Sequence, residues 1–347
     1  MHVTRLVPIK TQFIFCFFKG PQVSILVTGV NGMIGYPMAL KFARLGRQVI
    51  GLDIEIPSEL EDFGIQLIKA DITQAELIND IIASRGVNSI LHAGGISGPM
   101  LHKDDPYKVF NVNSKGTLNI AEAARKHGIQ RIVFLSTFVA YGEQDDISVV
   151  DESRIQRGSN PYAASKISAE NILRSYREYY KLETVSLRLG AVYGPRRTTD
   201  CLIRSLLRNS MNPKIVELNF GKNWSRPYVY IEDIINAIQL AFEAPFSKIN
   251  QNAYNISGGI WPTISEIADI VADITQTKSI SLRHGRTPND YRIGPLNIEA
   301  AHRDLNFKPI YSMKSGIESY YTWLKDNEFK LGGVLILFNN LLQSLFK

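Results

Sequence analysis

Short apolar runs alternate with amphipathic segments along the first half of the chain. Runs rich in β-branched residues are typical of buried strands. They occur at 23–28, 47–53, 65–69, 88–92, 130–136 and 184–189. Apolar residues recur at helical spacing over 33–45, 73–84, 107–126 and 161–180. Because strands that alternate with helices form a parallel sheet covered on both faces, the pattern predicts a doubly wound α/β fold.

Three glycines, Gly29, Gly32 and Gly35, follow the first predicted strand at the spacing Gly-x-x-Gly-x-x-Gly. Between a strand and a helix, such glycines let the backbone approach a pyrophosphate, and the helix N-terminus supplies free N–H groups. The next strand ends in Asp53, an acid that can accept hydrogen bonds from ribose hydroxyls and would repel a 2′-phosphate. The sequence therefore predicts a Rossmann-type site for NAD rather than NADP. The expected contacts also include the residues between the glycines, Asn31, Met33 and Ile34.

The second half of the chain is less regular. The pattern predicts a helix at 200–209, a short strand at 214–218, and a strand at 253–256 that returns to the main sheet. We expect a smaller lobe over the carboxyl edge of the sheet, where open α/β sheets bind ligands. The expected division is an N-terminal extension (1–22), an NAD-binding domain (23–190), a substrate-binding lobe (191–330) and an amphipathic C-terminal tail (331–347).

Both ends carry apolar segments outside this fold. Basic residues precede the short apolar run 13–18, as in a signal peptide, but no small-residue cleavage site follows, so we expect a packed or poorly ordered extension. The tail has helical spacing with one wide apolar face, but it is shorter than the roughly 20 apolar residues that span a bilayer. Docking on the body or on a second subunit is the favoured interpretation of the tail, and association with a membrane surface is the alternative.

Composition narrows the possible functions. The 347 residues are 45% hydrophobic and 21% charged, which is enough to build a sizeable core. The net charge of +6 comes without a long run of Lys or Arg, so no nucleic-acid partner is expected. The two cysteines, Cys16 and Cys201, form no Cys-x-x-Cys pair. We therefore expect no disulfide framework, no metal site and a reducing cytoplasmic environment.

Candidate catalytic residues lie on the fourth predicted helix and the strand before it. Tyr162 and Lys166 are four residues apart, hence on one helix face. The lysine cation and the positive nicotinamide ring would favour the tyrosine phenolate, which could then remove a hydroxyl proton while a hydride leaves the same carbon for NAD. The preceding strand ends at Ser136-Thr137, where a hydroxyl can donate to the substrate oxygen. We assign this role to Thr137, with Ser136 as the alternative.

Further motifs accompany these in a fixed order. They are Asp71 in Ala70-Asp71-Ile72, Asn113 in Asn111-Val112-Asn113, Tyr141-Gly142, Leu187-Arg188, Val192-Tyr193-Gly194-Pro195 and Arg226 ahead of Tyr230-x-Glu232-Asp233. Over roughly residues 23–326 the chain resembles the extended short-chain dehydrogenase/reductase family, specifically its NAD-dependent epimerase/dehydratase group. This order of motifs is highly specific for fold and cofactor and much less specific for substrate.

The resemblance implies roles for the matching residues. Asp71 and Ile72 would contact the adenine, and Lys166 would also hold the nicotinamide ribose. Asn113 would lie beside the cofactor and support the active-site helix. The residues that would line the cofactor after the fourth strand are His92, Ala93 and Gly94. Because family members usually dimerise through the helices at about 107–126 and 161–180, we expect a homodimer.

Several positions bear on the substrate. The 4,6-dehydratases of the family carry Asp-Glu after the catalytic Thr, whereas this chain has Phe138-Val139, so dehydration is set aside. Ala191 stands where many sugar-nucleotide enzymes have Asn, which argues against a nucleotide sugar. Arg226 matches an arginine that often meets the substrate diphosphate, and Arg286 is expected at the same cleft. The loop Gly94-Gly95-Ile96-Ser97 resembles that of uronate-type sugar-acid dehydrogenases, where Ser97 would face the substrate.

Three functions remain open on this basis. The leading hypothesis is a nucleotide-sugar epimerase, in which the oxidised sugar stays bound and is reduced from its other face; Arg226 favours it. The alternative is a dehydrogenase or reductase of a free sugar, sugar acid or polyol, favoured by Ala191 and the loop that carries Ser97. The third is a non-catalytic NAD-binding scaffold, against which the intact Tyr162 and Lys166 argue.

Overall fold

A computed structural model of the chain describes residues 24–199, 201–210, 216–218, 220–277, 280–285 and 291–329. The expected N-terminal extension, the C-terminal tail, Cys16 and Arg286 lie outside the described residues. Among the helices that are described, none has the length and apolarity needed to cross a membrane.

The strands follow the pattern of apolar runs. They are β1 (Ser24–Thr28), β2 (Gln48–Asp53), β3 (Gln66–Lys69), β4 (Ser89–His92), β5 (Arg131–Thr137), β6 (Glu183–Leu189), β7 (Ala191–Tyr193), β8 (Val216–Leu218), β9 (Tyr228–Tyr230), β10 (Ala253–Ile256) and β11 (Ile280–Leu282). Seven of them form one sheet in the order β10-β6-β5-β4-β1-β2-β3, and every neighbouring pair in it is parallel. The predicted doubly wound α/β fold is confirmed, and β10 joins β6 in the main sheet as the sequence predicts.

Ten α-helices are described. They are α1 (Gly35–Arg44), α2 (Ala75–Ser84), α3 (Pro106–Phe110), α4 (Gly116–Lys126), α5 (Pro161–Tyr180), α6 (Leu202–Ser210), α7 (Ile231–Glu243), α8 (Ile264–Thr275), α9 (Glu299–Leu305) and α10 (Met313–Leu324). Single turns of 3₁₀-helix lie at Ser58–Phe63, Phe138–Tyr141 and Phe246–Lys248, and π-helical turns at Asn111–Lys115 and Lys325–Phe329. The helix predicted at 107–126 is therefore three pieces, α3, a π turn and α4.

The two faces of the sheet bury separate cores. Along β1, Ile25 and Val27 pack into one core, while Leu26 packs into the other. This alternation explains why a central parallel strand is apolar throughout, since both of its faces are covered by helices. The order of strands reverses between β1 and β4, whose carboxyl ends pair at Thr28 and His92. Because ligands of open α/β sheets bind at such a reversal, the fold places a site beyond these two residues.

The second half of the chain builds a lobe beside this edge. Two short parallel pairs, β7 with β9 and β8 with β11, accompany the helices α6, α8 and α10. The pair of β7 and β9 begins just after β6 ends at Leu189. Ala191, the first residue of β7, donates its backbone N–H to the carbonyl of Pro227 at 2.8 Å. The lobe is thus joined to the sheet by β10 and by the chain leaving β6. The predicted domain boundary at residue 190 stays a prediction.

Candidate active site

The glycine turn after β1 forms a tight backbone cradle. Gly29 has a φ of +70°, and a Cβ there would lie 2.7 Å from the Cα of Gly94 in the turn after β4. A Cβ on Gly35 would overlap the carbonyl oxygen of Gly29. The backbone of Gly29 also donates to the carbonyl of Leu52 in β2 at 2.8 Å. The turns after β1 and β4 therefore touch, with no room for side chains at these glycines.

Two carboxylates lie at the far side of this cradle. Asp53 accepts from the backbone N–H groups of Asn31 at 3.0 Å and Ile54 at 2.8 Å, so it is fixed against the glycine turn. Asp71 accepts from the backbone N–H of Thr73 at 2.8 Å. The arrangement fits a dinucleotide whose ribose hydroxyls would donate to Asp53. The side chain of Ile72 is buried against Gly116. A contact of this residue with the expected adenine would therefore be made by its backbone.

The imidazole of His92 is buried, so the expected contact of this residue with the cofactor stays a prediction and would be made by its backbone. It is 1% exposed, with Nδ1 2.8 Å from the Thr28 hydroxyl and Nε2 3.0 Å from the Thr117 hydroxyl. Burial and the nearby Lys166 charge lower the pKa of His92 to about 3, so the imidazole is neutral. The ring ties β1, β4 and α4 together, and only the backbone of His92 remains for the cofactor. The following residues, Ala93 and Gly94, are half-buried at the rim.

The helix α5 presents Tyr162 and Lys166 beneath the same edge. It begins at a strong N-terminal signal, since Asn160 caps it by accepting from the N–H of Ala163 at 2.9 Å and Pro161 occupies the first turn. Tyr162 is 7% exposed and Lys166 is 8% exposed. The Lys166 ammonium lies 4.2 Å from the ring centroid of Phe134, and burial lowers the pKa of Lys166 to about 8, which the Glu170 carboxylate opposes.

Tyr162 meets two hydroxyl groups and one arginine. Burial raises the pKa of its phenol, and three neighbouring groups oppose that rise: the hydroxyls of Thr137 and Ser97 and the charge of Arg197. Arg197 lies on the loop after β7 and was not marked by the sequence pattern. It supplies a cation that favours the phenolate, while the expected effect of Lys166 on the phenol stays a prediction.

The structure separates the two candidate hydroxyls of β5. Thr137 faces Tyr162, whereas the Ser136 hydroxyl donates to the buried carboxylate of Glu170. Thr137 also accepts from the N–H of Val139 at 3.2 Å, which fixes its side chain. An oxygen placed at the phenol of Tyr162 would therefore meet Thr137 and not Ser136. We keep Thr137 as the proposed catalytic hydroxyl and assign Ser136 to the support of α5.

Asn113 holds the loop that carries Ser97. Its side chain accepts from the N–H of Ile96 at 2.8 Å and donates to the Ile96 carbonyl at 3.1 Å and to the Ser165 hydroxyl at 2.9 Å. Asn113 lies in the π-helical turn before α4, a feature that is frequent at functional sites. This amide acts as a positioning group, because it ties the loop after β4 to the helix that bears Tyr162.

A buried polar network supports the same face of α5 one turn beyond Lys166. Arg188 pairs with Glu170 at 2.8 Å and donates to the Tyr141 hydroxyl at 2.9 Å. Tyr141 in turn donates to Asn255 of β10 at 2.7 Å. The sequence marked Tyr141 and Arg188 as motif residues but did not show that they meet Glu170, whose available signal was its spacing four residues beyond Lys166 on the same helix face. The network connects α5 with β10, the strand that returns from the second lobe.

The open side of the site is positively charged. Arg226 is half-buried beside Tyr228, and burial raises the pKa of Tyr228 to about 12 against the charges of Arg226 and Arg197. Ser97 is exposed at the rim, and Ala191 opens β7 close by. Phe138 packs against apolar residues next to Tyr162 and Tyr141, so no acid stands where the dehydratases have one.

Comparisons with known proteins bear on the family and the fold of the chain. The model of the NAD dependent epimerase/dehydratase family matches residues 25–257. A UDP-glucuronate 4-epimerase of Thermodesulfobacterium geofontis (strain OPF15) is 24% identical over 317 residues, covering 87% of this chain and 96% of that protein. The solved UDP-glucose 4-epimerase of Thermotoga maritima with UDP-glucose superposes with a TM-score of 0.80 at 24% identity, over 88% of this chain and 99% of that chain. The UDP-glucose 4-epimerase of Thermus thermophilus in complex with NAD gives a TM-score of 0.77 at 25% identity, over 88% of this chain and 100% of that chain.

Proposed function

Because the chain belongs to the NAD-dependent epimerase/dehydratase family, and is thus an NAD-dependent enzyme of the extended short-chain dehydrogenase/reductase type, we propose that it inverts the C4 centre of a nucleotide sugar, with UDP-glucuronate as substrate. The observation that carries this proposal is the buried phenol of Tyr162, which shares one face of α5 with the buried Lys166 and lies beside Thr137 and Ser97, near the charge of Arg197. Such a group can take a proton from a sugar hydroxyl and return it to a carbonyl oxygen.

The residues present fit NAD. At Gly29 and Gly35 the backbone packs so closely that a Cβ would clash, as in the tight glycine turn of a dinucleotide site, and Asp53 is fixed as an acceptor for the ribose. Lys166 is a buried cation beneath the same edge and would hold the second ribose. When bound, NAD supplies a nicotinamide ring that accepts a hydride from the sugar carbon and gives it back.

The protein's own groups then do three things. Tyr162 removes the proton of the C4 hydroxyl and later returns it to the carbonyl oxygen. Thr137 and Ser97 orient that oxygen and donate to it as charge develops. The phenol of Tyr162 is buried, so little water reaches the group that exchanges the proton.

The charge of the open side favours an anionic sugar. Arg226 supports binding of the nucleotide diphosphate, and Arg197, near both Tyr162 and Tyr228, supports binding of a carboxylate on the sugar. UDP-glucose, which lacks the carboxylate, is the second candidate because the Thermotoga and Thermus structures are UDP-glucose 4-epimerases. The free-sugar dehydrogenase is not favoured, since the named relatives are nucleotide-sugar epimerases.

The test is conversion of UDP-glucuronate by the purified protein without added NAD. We expect its C4 epimer to appear, detected by anion-exchange chromatography, and expect UDP-glucose to be converted more slowly. Faster conversion of UDP-glucose would overturn the proposal that the preferred sugar carries a carboxylate, but it would still support an epimerase. No epimer from either sugar, together with reduction of added NAD by a free sugar acid, would overturn the proposal.

Thr137→Val tests which hydroxyl acts on the substrate. It removes one donor to the developing charge while keeping the shape of the side chain, so we expect kcat to fall about 10²- to 10³-fold. Ser136→Ala is the matched control, because its hydroxyl faces Glu170 instead. We expect Ser136→Ala to keep kcat within about tenfold and to lower thermal stability. Steady-state kinetics of epimer formation decide this, and a larger kcat loss in Ser136→Ala than in Thr137→Val would reverse the assignment.

Three further expectations complete the proposal. We propose a homodimer formed through the helices at 107–126 and 161–180, which is supported by the exposed apolar side chains of Tyr107 (89%) and Leu118 (41%). We retain the division into an NAD-binding domain (23–190) and a substrate-binding lobe (191–330). We also propose a cytoplasmic location, supported by the two cysteines of the sequence and the absence of a Cys-x-x-Cys pair.

A further inference from the structure

Arg196 reaches from the second lobe to the glycine turn. It lies on the loop after β7, and its guanidinium Cζ is 3.5 Å from the ring centroid of Tyr36. Tyr36 directly follows Gly35 in the first turn of α1, the helix whose N-terminus faces the cofactor cradle. A cation over an aromatic face is an attractive contact. The stack therefore joins the substrate-binding lobe to the rim of the cofactor site.

Two features show that the surrounding structure holds Arg196 in this contact. Arg196 has a φ of 63°, in the left-handed region that non-glycine residues adopt at a cost, so surrounding contacts hold it there. Tyr36 also lies beside Glu59 in the 3₁₀ turn after β2; burial and Glu59 raise the pKa of Tyr36, while Arg196 lowers it. Three segments thus meet around the cradle: the glycine turn, the turn at Ser58–Phe63 and the loop after β7.

The guanidinium has an unused donor at this place. Nε of Arg196 is buried, and within the described part of the chain no acceptor hydrogen-bonds to it. A buried N–H of a charged group without an acceptor is costly, so such a donor points to an anion that binds there. The anion that suits the neighbouring glycine turn, which is packed without room for side chains at the N-terminus of α1, is a pyrophosphate.

We propose that Arg196 is a binding residue for the dinucleotide pyrophosphate and that its stack on Tyr36 closes the cofactor site. Planar guanidinium groups suit this task because they bind phosphate oxygens at two points and stack on aromatic rings at the same time. The consequence is slow release of NAD. Slow release suits an enzyme that recycles its cofactor in place. This purpose of the contact rests on the proposed function, but the measurement of dinucleotide binding that tests the contact does not.

The test measures dinucleotide binding without any sugar. Etheno-NAD, a fluorescent analogue, is bound to the wild-type protein and to Arg196→Ala, and is then displaced by NAD, ADP or adenosine. We expect Arg196→Ala to bind NAD and ADP about 10- to 100-fold more weakly, as for a lost charge-assisted hydrogen bond. Adenosine has no phosphate, so its affinity should change less than twofold. The variant should also retain less NAD after purification.

Two variants control for indirect effects. Arg47→Ala removes a similar stack at the other end of α1, where the Arg47 Cζ is 5.2 Å from the ring centroid of Phe42, and should leave all three affinities unchanged. Arg196→Lys keeps the charge but loses the planar donor, so an intermediate affinity for ADP is expected. Unchanged ADP binding in Arg196→Ala, or an equal loss for adenosine, would overturn the proposal. Failure of wild type to make an epimer would affect only the proposed function.

Discussion

Tyr162→Phe lowers the rate of epimer formation by at least about 10³-fold and leaves NAD bound to the protein. The change removes the group that exchanges a proton with the substrate, and positioned general acid–base groups contribute roughly 10²- to 10⁴-fold. It leaves the ring, its burial and the glycine cradle in place, so the fold and the cofactor site should be intact. The measurement is kcat with UDP-glucuronate, together with NAD content after denaturation.

Tyr291→Phe is the matched control for this prediction. Tyr291 packs against the same apolar cluster as Tyr162, and its hydroxyl accepts from the Asn160 amide instead of facing Thr137. Its loss should cost less than about tenfold in kcat, because it only loosens the start of α5. Retention of more than a tenth of wild-type activity in Tyr162→Phe would contradict the assigned role. A non-catalytic scaffold would bind NAD in the wild type and in both variants and convert nothing in any of them.

Arg188→Met destabilises the protein by about 3–5 kcal/mol, the cost of leaving a buried carboxylate without its partner. Arg188 and Glu170 are both buried, and their closest nitrogen and oxygen atoms are 2.8 Å apart. The variant also deprives the Tyr141 hydroxyl of a donor. In a chain of this size, we expect the thermal midpoint to fall by roughly 6–15 °C, measured by calorimetry on NAD-loaded protein.

Two comparisons make the stability result specific. Arg154→Met removes an exposed pair with Asp146 and should change stability by no more than about 1 kcal/mol. A double variant with both Glu170→Met and Arg188→Met removes the uncompensated charge and should recover part of the loss. If Arg188→Met shifts the midpoint no more than Arg154→Met does, the buried pair does not hold α5 as described.

The fold follows from the sequence because its signals are local. Alternating apolar runs mark strands that are buried on both faces, and the glycines mark a turn that only their backbone can make. The same is true of the cap at Asn160, which starts α5 where the pattern predicts a helix. Even β10 lies where the pattern predicts a strand, although it contains the buried polar Asn255 and its partner β6 lies far away in sequence.

The fine structure of the site depends on contacts between distant segments. The helical periodicity of 107–126 continues across the π turn at Asn111–Lys115, so the turn leaves no trace in the pattern. The choice between Ser136 and Thr137 depends on Glu170 and Tyr162, both on another element. The roles of Arg196 and Arg197 arise because their loop folds back on residues far earlier in the chain. The spacing of residues along the sequence does not show which distant segments come into contact.

The central proposal is that the sugar is oxidised and reduced again without leaving the site or exchanging its hydrogen. The most direct measurement uses UDP-glucuronate that carries deuterium at C4, incubated with the purified protein without added NAD. We expect proton NMR to show the C4 epimer with its deuterium retained, because the cofactor takes the hydrogen and returns it to the same carbon. An epimer that has lost its deuterium to solvent, or no epimer at all, would contradict the proposal.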